Sequence, residues 1–214
     1  MKIGVLGSGA VGQALGKGFA DIGHDVKIGS RDPGQEKFKT WIAKTGPRAS
    51  AGSYAEAAAF GELLVLATPW TGTENAIDLS EKRHFAGKVV IDVTNPLDFS
   101  AGPPPKLALG HTDSGAEQIQ RWIRDARVVK AFNIVGNADM VNPKFPGGPP
   151  DMFICGNDDA AKKTVTEILT KFGWSTIDLG GIEAARYIEP LAMVWITYGF
   201  RTNQWSQAFK LLRK

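Results

Sequence analysis

The stretch Lys2-Ile3-Gly4-Val5-Leu6-Gly7-Ser8-Gly9-Ala10-Val11-Gly12 joins an apolar run, a glycine-rich turn and the first residues of a helical pattern. Each glycine in this G-x-G-x-x-G spacing has a separate physical task. Gly7 permits the tight turn out of a strand, Gly9 leaves room for a pyrophosphate beside the backbone, and Gly12 lets the helix pack closely on the sheet. Ser8, Ala10 and Val11 supply the intervening backbone. The helix that follows directs free N–H groups and a positive dipole end at the phosphates. A strand before the motif and a helix after it separate a dinucleotide loop from an ordinary turn.

Outward from this motif, strand-like runs alternate with helical ones. That alternation predicts an α/β fold of Rossmann type, with a doubly wound and mainly parallel sheet. Strands are expected at 2–6, 25–29, 48–51, 63–67, 88–93, 127–132, 152–155 and 174–179. Helices are expected at 11–22, 35–44, 54–60, 72–79, 114–125 and 158–172. Ser53 and Glu56 have the spacing of a capping box. A proline-bearing loop covers 94–112, and a Gly/Pro-rich stretch covers 142–150. The segment 182–212 reads as helical, with breaks at Pro190 and Gly199. The chain is expected to divide near residue 136. A nucleotide-binding part at 1–136 would precede a smaller, mostly helical part at 137–214 that closes a cleft.

Composition narrows the function classes. With 214 residues and 43% hydrophobic content, the chain can build one sizeable core or a main domain with an appendage. The net charge is +3 and both signs are interspersed, with no basic stripe for nucleic acid. The single cysteine, Cys155, leaves no internal disulfide framework and no Cys-based zinc site. The first strand begins at Lys2, so no signal peptide is expected and the cytoplasm is the natural compartment. No apolar run approaches the ~18 residues needed to span a membrane.

The second strand ends Ile28-Gly29-Ser30-Arg31. A site for NAD places a carboxylate near this point to accept bonds from the ribose hydroxyls. Ser30 and Arg31 suit the extra phosphate of NADP instead, because a guanidinium fork bonds phosphate and stacks on adenine. Lys37 adds a positive charge if its loop folds back. The competing reading leaves Arg31 on the surface and gives Asp32 the NAD-type role.

Residues near the redox ring belong at the carboxyl ends of strands. Thr68-Pro69-Trp70, Asn95-Pro96 and Asn133 all follow predicted strands. The prolines stiffen a wall beside nicotinamide, and the two asparagines offer amide donors and acceptors. Turn chemistry alone also favours Asn-Pro. Acid–base groups are scarce. Of the three histidines, His24 and His84 are expected on the surface at the opposite rim, and only His111, in the long loop, is a weak catalytic candidate. No Ser/His/Asp arrangement or metal-ligand cluster is visible. Hydride transfer between two ring cofactors suits such a site, because the cofactors carry the chemistry and the protein aligns their faces.

Several segments carry a family resemblance. They are Gly29-Ser30-Arg31, Val128-Val129-Lys130-Ala131-Phe132-Asn133, Ile154-Cys155-Gly156-Asn157-Asp158-Asp159 and Glu183-Ala184-Ala185-Arg186-Tyr187-Ile188-Glu189. With the glycine loop they resemble the NADPH-dependent reductases of the deazaflavin coenzyme F420, and also the oxidoreductase domains of the STEAP metalloreductases. The resemblance implies NADP along the glycine loop, with Ser30 and Arg31 at its 2′-phosphate and Thr68, Pro69 and Trp70 by the nicotinamide. It implies an acceptor ring stacked on nicotinamide in a cleft closed by the C-terminal part, and a homodimer. Asn133 stands where deazaflavin reductases often carry His and where the STEAP-like branch carries Asn. The segment around Arg186 and Glu189 corresponds to the family's cleft helix. Cys155 and Asp158 read structurally, as a buried strand residue and a helix N-cap. Trp195, Tyr198, Phe200, Trp205 and Phe209 read as a packing stripe, part of it between subunits.

The expectation is an NADPH-dependent oxidoreductase passing hydride to coenzyme F420 or to a flavin such as FMN or FAD. A non-catalytic NADP-binding sensor is one alternative. A reductase of small imines or carbonyls is the other, and it needs a proton donor for which only His111 and Tyr187 are on hand.

Overall fold

The computed structural model describes residues Met1–Lys214. Its spine is one eight-stranded sheet, in the order β10-β9-β8-β5-β4-β1-β2-β3. The strands are β1 Lys2–Leu6, β2 Asp25–Ser30, β3 Ala49–Ser53, β4 Leu63–Leu66, β5 Val89–Asp92, β8 Arg127–Lys130, β9 Asp151–Gly156 and β10 Ser175–Asp178. Strands β3, β2, β1, β4, β5 and β8 run parallel. Strand β9 is antiparallel to β8, and β10 is parallel to β9. This is the mainly parallel Rossmann-type sheet that the alternation predicts. The order reverses beside β1, where β2 lies on one side and β4 on the other, and this reversal opens the ligand crevice of such folds.

The helices are α1 Ala10–Asp21, α2 Glu36–Thr45, α3 Tyr54–Phe60, α4 Trp70–Leu79, α5 Gly115–Trp122, α6 Asp159–Lys171 and α7 Ala185–Thr202. Two of them begin on the caps expected from sequence. Ser53 Oγ accepts from Glu56 N while Glu56 Oε2 accepts from Ser53 N, completing the capping box of α3. Asp158 Oδ1 accepts from Ala161 N at the start of α6. Strand β4 is entirely buried, as the run Leu63-Leu64-Val65-Leu66 requires of a central parallel strand. The residues after 137 add β9 and β10 to the same sheet as well as α6 and α7.

Four expectations give way to structure. The segment 182–212 is not one broken helix. Helix α7 runs unbroken through both Pro190 and Gly199 and stops at Asn203, which takes a left-handed φ of 53°. Gly199 is there for packing: a Cβ on it would lie 2.5 Å from the Trp205 ring. The tail then turns back, with Trp195 Nε1 donating to Gln207 O at 2.7 Å and Asp151 N donating to Phe209 O at 2.9 Å. Helix α5 ends at Trp122 rather than near 125, because the Gln120 amide donates to Ala126 O and accepts from Val128 N, satisfying a turn instead of more helix. The loop 94–112 contains a short antiparallel pair, β6 Leu97–Asp98 with β7 Lys106–Leu107. His24 is not a surface residue: it is 9% exposed, packs on Phe19, and holds the N-terminal amine 3.2 Å from Nδ1. Burial and the nearby amine depress its pKa. No helix is long and apolar enough to cross a membrane.

Candidate functional site

The glycine loop has the geometry its sequence demands. Gly7 sits at φ 132°, and a Cβ there would lie 2.2 Å from Ala67 O. A Cβ on Gly12 would lie 2.0 Å from Gly7 O, so only glycine lets α1 approach β1 this closely. Gly9 differs, because nothing lies within 4 Å of the space a Cβ would take. That space is open for a ligand rather than filled by protein. Helix α1 starts without a side-chain cap and without an acid in its first turn. Its positive end therefore stays available to an anion.

At the end of β2, Ser30 is 6% exposed and Arg31 is exposed. Asp32 turns its carboxylate into its own loop, accepting from Gly34 N at 3.2 Å and Gln35 Nε2 at 3.3 Å. Lys37 folds back and donates to Ser8 Oγ at 3.3 Å. Lys37 thus meets the glycine loop at Ser8, and Gly7 N donates to Gly29 O at 3.3 Å, which sets the end of β2 and Ser30 beside the same loop. Tyr54, absent from the sequence-based candidates, lies over Gly29 with its Cα 3.2 Å from the space a Cβ there would take. Burial pushes its phenol pKa up, against the pull of the Arg31 charge.

At the other end lies a cavity of about 660 Å³ between the glycine loop and the loops after β4 and β5. Gly9, Ala10, Val11, Thr68, Pro69, Trp70 and Asn95 all line it, so most of the predicted ring-end residues converge. Thr68 is fixed by a 2.9 Å hydrogen bond between its Oγ1 and that of Thr73. The Trp70 ring stacks on Trp122, with centroids 5.6 Å apart. The outer wall is the start of the β6–β7 pair, where Phe99 is exposed. Asn133 and Pro96 stand behind this lining. Asn133 Nδ2 donates to Asn95 Oδ1 at 3.0 Å and to Ile188 O at 3.2 Å, and Asn95 Nδ2 donates to Asn133 O at 2.7 Å. Pro96 is buried, and its carbonyl accepts from Ala108 N at 2.7 Å. His111 lines a different cavity, of about 810 Å³, with Arg186, Tyr187 and Pro190.

Sequence reading missed the groups behind the wall. Lys130 Nζ, fully buried at the end of β8, lies 2.6 Å from Asp92 Oδ2 and 2.9 Å from Glu189 Oε1, and donates to Thr94 O at 2.7 Å. Asp92 Oδ1 accepts from Thr94 N at 2.9 Å and from Thr94 Oγ1 at 2.7 Å. Glu189 also accepts from Gly115 N at 2.8 Å and Ala116 N at 3.0 Å, the first N–H groups of α5. Burial opposes the Lys130 charge, but the two carboxylates outweigh it and hold its pKa above the ordinary value. The signal was a charged residue closing each of the apolar runs Val89-Val90-Ile91-Asp92 and Val128-Val129-Lys130. Burial pushes the nearby Cys155 thiol up to about 12, consistent with its structural reading.

A glycine loop at the sheet's switch point, with a cavity where the next strands end, is the layout of a Rossmann-type dinucleotide-binding fold. Comparison with known proteins gives the family. The model of the NADP oxidoreductase, coenzyme F420-dependent family matches residues 2–96. A candidate F420-dependent NADP-reductase from Arthrobacter sp. FB24 superposes with a TM-score of 0.94 at 40% identity, covering 100% of both chains. The F420-dependent NADP reductase of Methanocaldococcus jannaschii is 31% identical over 209 residues, 92% of this chain and 91% of that one. The metalloreductase STEAP3 of Rattus norvegicus is 29% identical over 193 residues, 90% of this chain but 36% of that protein, so the chain spans about a third of that relative's length. The chain belongs to the coenzyme F420-dependent NADP oxidoreductase family, and it is an NADP-dependent oxidoreductase.

Proposed function

We propose that this protein transfers hydride between NADPH and a tricyclic ring acceptor, a deazaflavin of the F420 type or a flavin. The observation that carries this reading is the chemistry of the cavity wall. Its one ionisable side chain is Asp98, whose carboxylate accepts from Ser100 N at 2.8 Å and Ser100 Oγ at 2.9 Å. Those bonds hold the Asp98 pKa below its ordinary value, so at neutral pH it is a carboxylate and not a proton donor. An imine or carbonyl needs a proton as well as a hydride, whereas a ring acceptor in solvent contact takes its proton from water.

The open space over Gly9 and the uncapped start of α1 fit the pyrophosphate. When bound, NADPH supplies the hydride from its dihydronicotinamide ring. In this reading Gly7 to Gly12 hold the pyrophosphate, and Ser30, Arg31 and Lys37 hold the 2′-phosphate. Pro69, Trp70 and Asn95 exclude water from one face of the ring. The part at 137–214 places α7 behind the cavity wall, where Ile188 O accepts from Asn133 Nδ2, and exposed Tyr187, Val194 and Tyr198 on α7 support a homodimer. The proposed setting is cytoplasmic. The test is NADPH oxidation with F420, FMN and FAD as separate acceptors, with a cyclic imine in parallel. Turnover with a ring acceptor supports the reading, and turnover with the imine alone overturns it. Tight NADPH binding without oxidation by any acceptor favours a sensor.

A further inference from the structure

We propose that Lys130, Asp92 and Glu189 are positioning residues, which hold the Thr94–Asn95 loop against the nicotinamide end of the cavity and tie it to the cleft helix α7. The inference rests on the functional reading above, and concerns residues that line no part of the cavity. A buried ion cluster is weak evidence for stability, because desolvation cancels much of its Coulomb energy and apolar replacement is often neutral. What it supplies is geometry. Three bonds converge on Thr94: two on Asp92 Oδ1, from its N and Oγ1, and one from Lys130 Nζ to its carbonyl. Asn95, the next residue, is clamped from the β8 side by two bonds with Asn133. Both Thr94 and Asn95 face the cavity.

The chain between Lys130 and Asn133 is itself forced into place. Phe132 takes a left-handed φ of 63° while fully buried, a conformation costly for a bulky side chain. Such strain persists where the surroundings over-determine it. On the opposite side, Glu189 spends one oxygen on Lys130 and both on the first N–H groups of α5. The second carboxylate's charge is thereby met by the positive end of a helix. Helix α7, α5, β5 and β8 are thus cross-linked at one point beneath the loop that faces the ring. The cluster's hydrogen bonds and ion pairs all fall within β5, β8, α5, α7 and Thr94.

The test compares native protein with Lys130→Met and Glu189→Gln. Two quantities are read: the NADPH dissociation constant, and the gain in dihydronicotinamide emission per bound NADPH, which needs no acceptor. The expected result is affinity within about threefold of native, since the adenosine end carries most of the binding, with the emission gain at least halved. Turnover with the best acceptor is expected to fall roughly 10- to 100-fold, as a misplacement of about 1 Å would cause. A merely structural role would reduce the number of binding sites and leave emission per site unchanged. Lys130→Met strands two buried carboxylates; where it does not fold, Glu189→Gln, which keeps its shape and neutralises the cluster, decides by the same readout. Native-like emission and turnover per site in the variant that folds overturns the inference. Failure of the native protein to bind NADPH overturns the functional reading instead.

Discussion

Lys37 donates to Ser8 Oγ at 3.3 Å, so a cation from α2 reaches the glycine loop of α1. With Arg31 at the end of β2, it leaves two positive charges and no free carboxylate beside the Ser30 hydroxyl, since Asp32 is bonded within its own turn. Arg31→Ala is expected to weaken NADPH binding roughly 10- to 100-fold, the range for losing charge-assisted hydrogen bonds, while changing NADH binding by less than about threefold. Lys37→Ala should act in the same direction and more weakly, because a point charge lacks the fork geometry. Titration of each coenzyme against each variant, at one salt concentration, checks both.

Gly9 and Gly12 should fail in opposite ways. Gly9→Val fills open space, so the variant is expected to fold with native stability and lose NADPH binding by about 100-fold or more. Gly12→Val drives side-chain atoms into Gly7 O, where even a Cβ would lie at 2.0 Å, so it should lower stability by about 3 kcal/mol or more before binding is considered. Thermal unfolding alongside coenzyme titration separates the two outcomes. Equal destabilisation by both would mean that the space over Gly9 is needed by the protein itself.

How much of this was legible in the sequence follows from how local each signal is. Strand β1, its glycine loop and α1 are one contiguous segment, so their geometry is written into neighbouring residues. The Ser53 box and the Asp158 cap are equally local. Thr68, Pro69, Trp70 and Asn95 meet around one cavity because strand ends converge in a parallel sheet, and Asn133, expected beside them, holds Asn95 from behind. The Lys130 cluster draws on β5, β8 and α7, and no periodicity links such partners. The tail was misread because Trp205 and Phe209 continue a helical spacing, whereas their packing partners, Gly199 and β9, are known only once the chain has turned back. His24 was misread because its burial depends on the chain's first residue and on Phe19, not on its turn.

Glu117 ties α5 to α7. Arg186 donates to it from Nε at 2.9 Å and from a terminal nitrogen at 2.5 Å, and Ser114 Oγ donates at 2.7 Å. The Arg186 bonds hold the Glu117 pKa below its ordinary value of 4.5. A depressed carboxylate stabilises the fold above its unfolded pKa, and that contribution is lost as pH falls through the lower folded value. Stability should therefore be flat in this respect from neutral pH to about pH 5, then decline below 4.5. Glu117→Gln is expected to flatten that decline while lowering stability at neutral pH. Denaturant unfolding in steps from pH 7 to pH 3 checks the sign. An unchanged acid limb in the variant would show that another carboxylate governs it.

Gly199 and Trp205 set the position of the tail. The ring edge occupies the place of the missing Cβ, and Trp205 also packs against Trp195 and Phe200, with centroids 5.5 Å and 5.1 Å away. Gly199→Val should leave α7 helical, since valine costs a helix less than glycine does, yet displace the indole. Release of the tail removes its bonds to β9 at Asp151 and to Pro149. The expected outcome is rapid proteolysis between residues 203 and 212, with the sheet intact by circular dichroism. Trp205→Ala, which leaves space where Gly199→Val adds bulk, should free the tail at a cost of about 1–3 kcal/mol, below that of a fully buried tryptophan because Trp205 is 41% exposed. Limited proteolysis followed by mass analysis reads both variants, and a tail as resistant as the native one would show that the backbone bonds to β9 hold it without the indole.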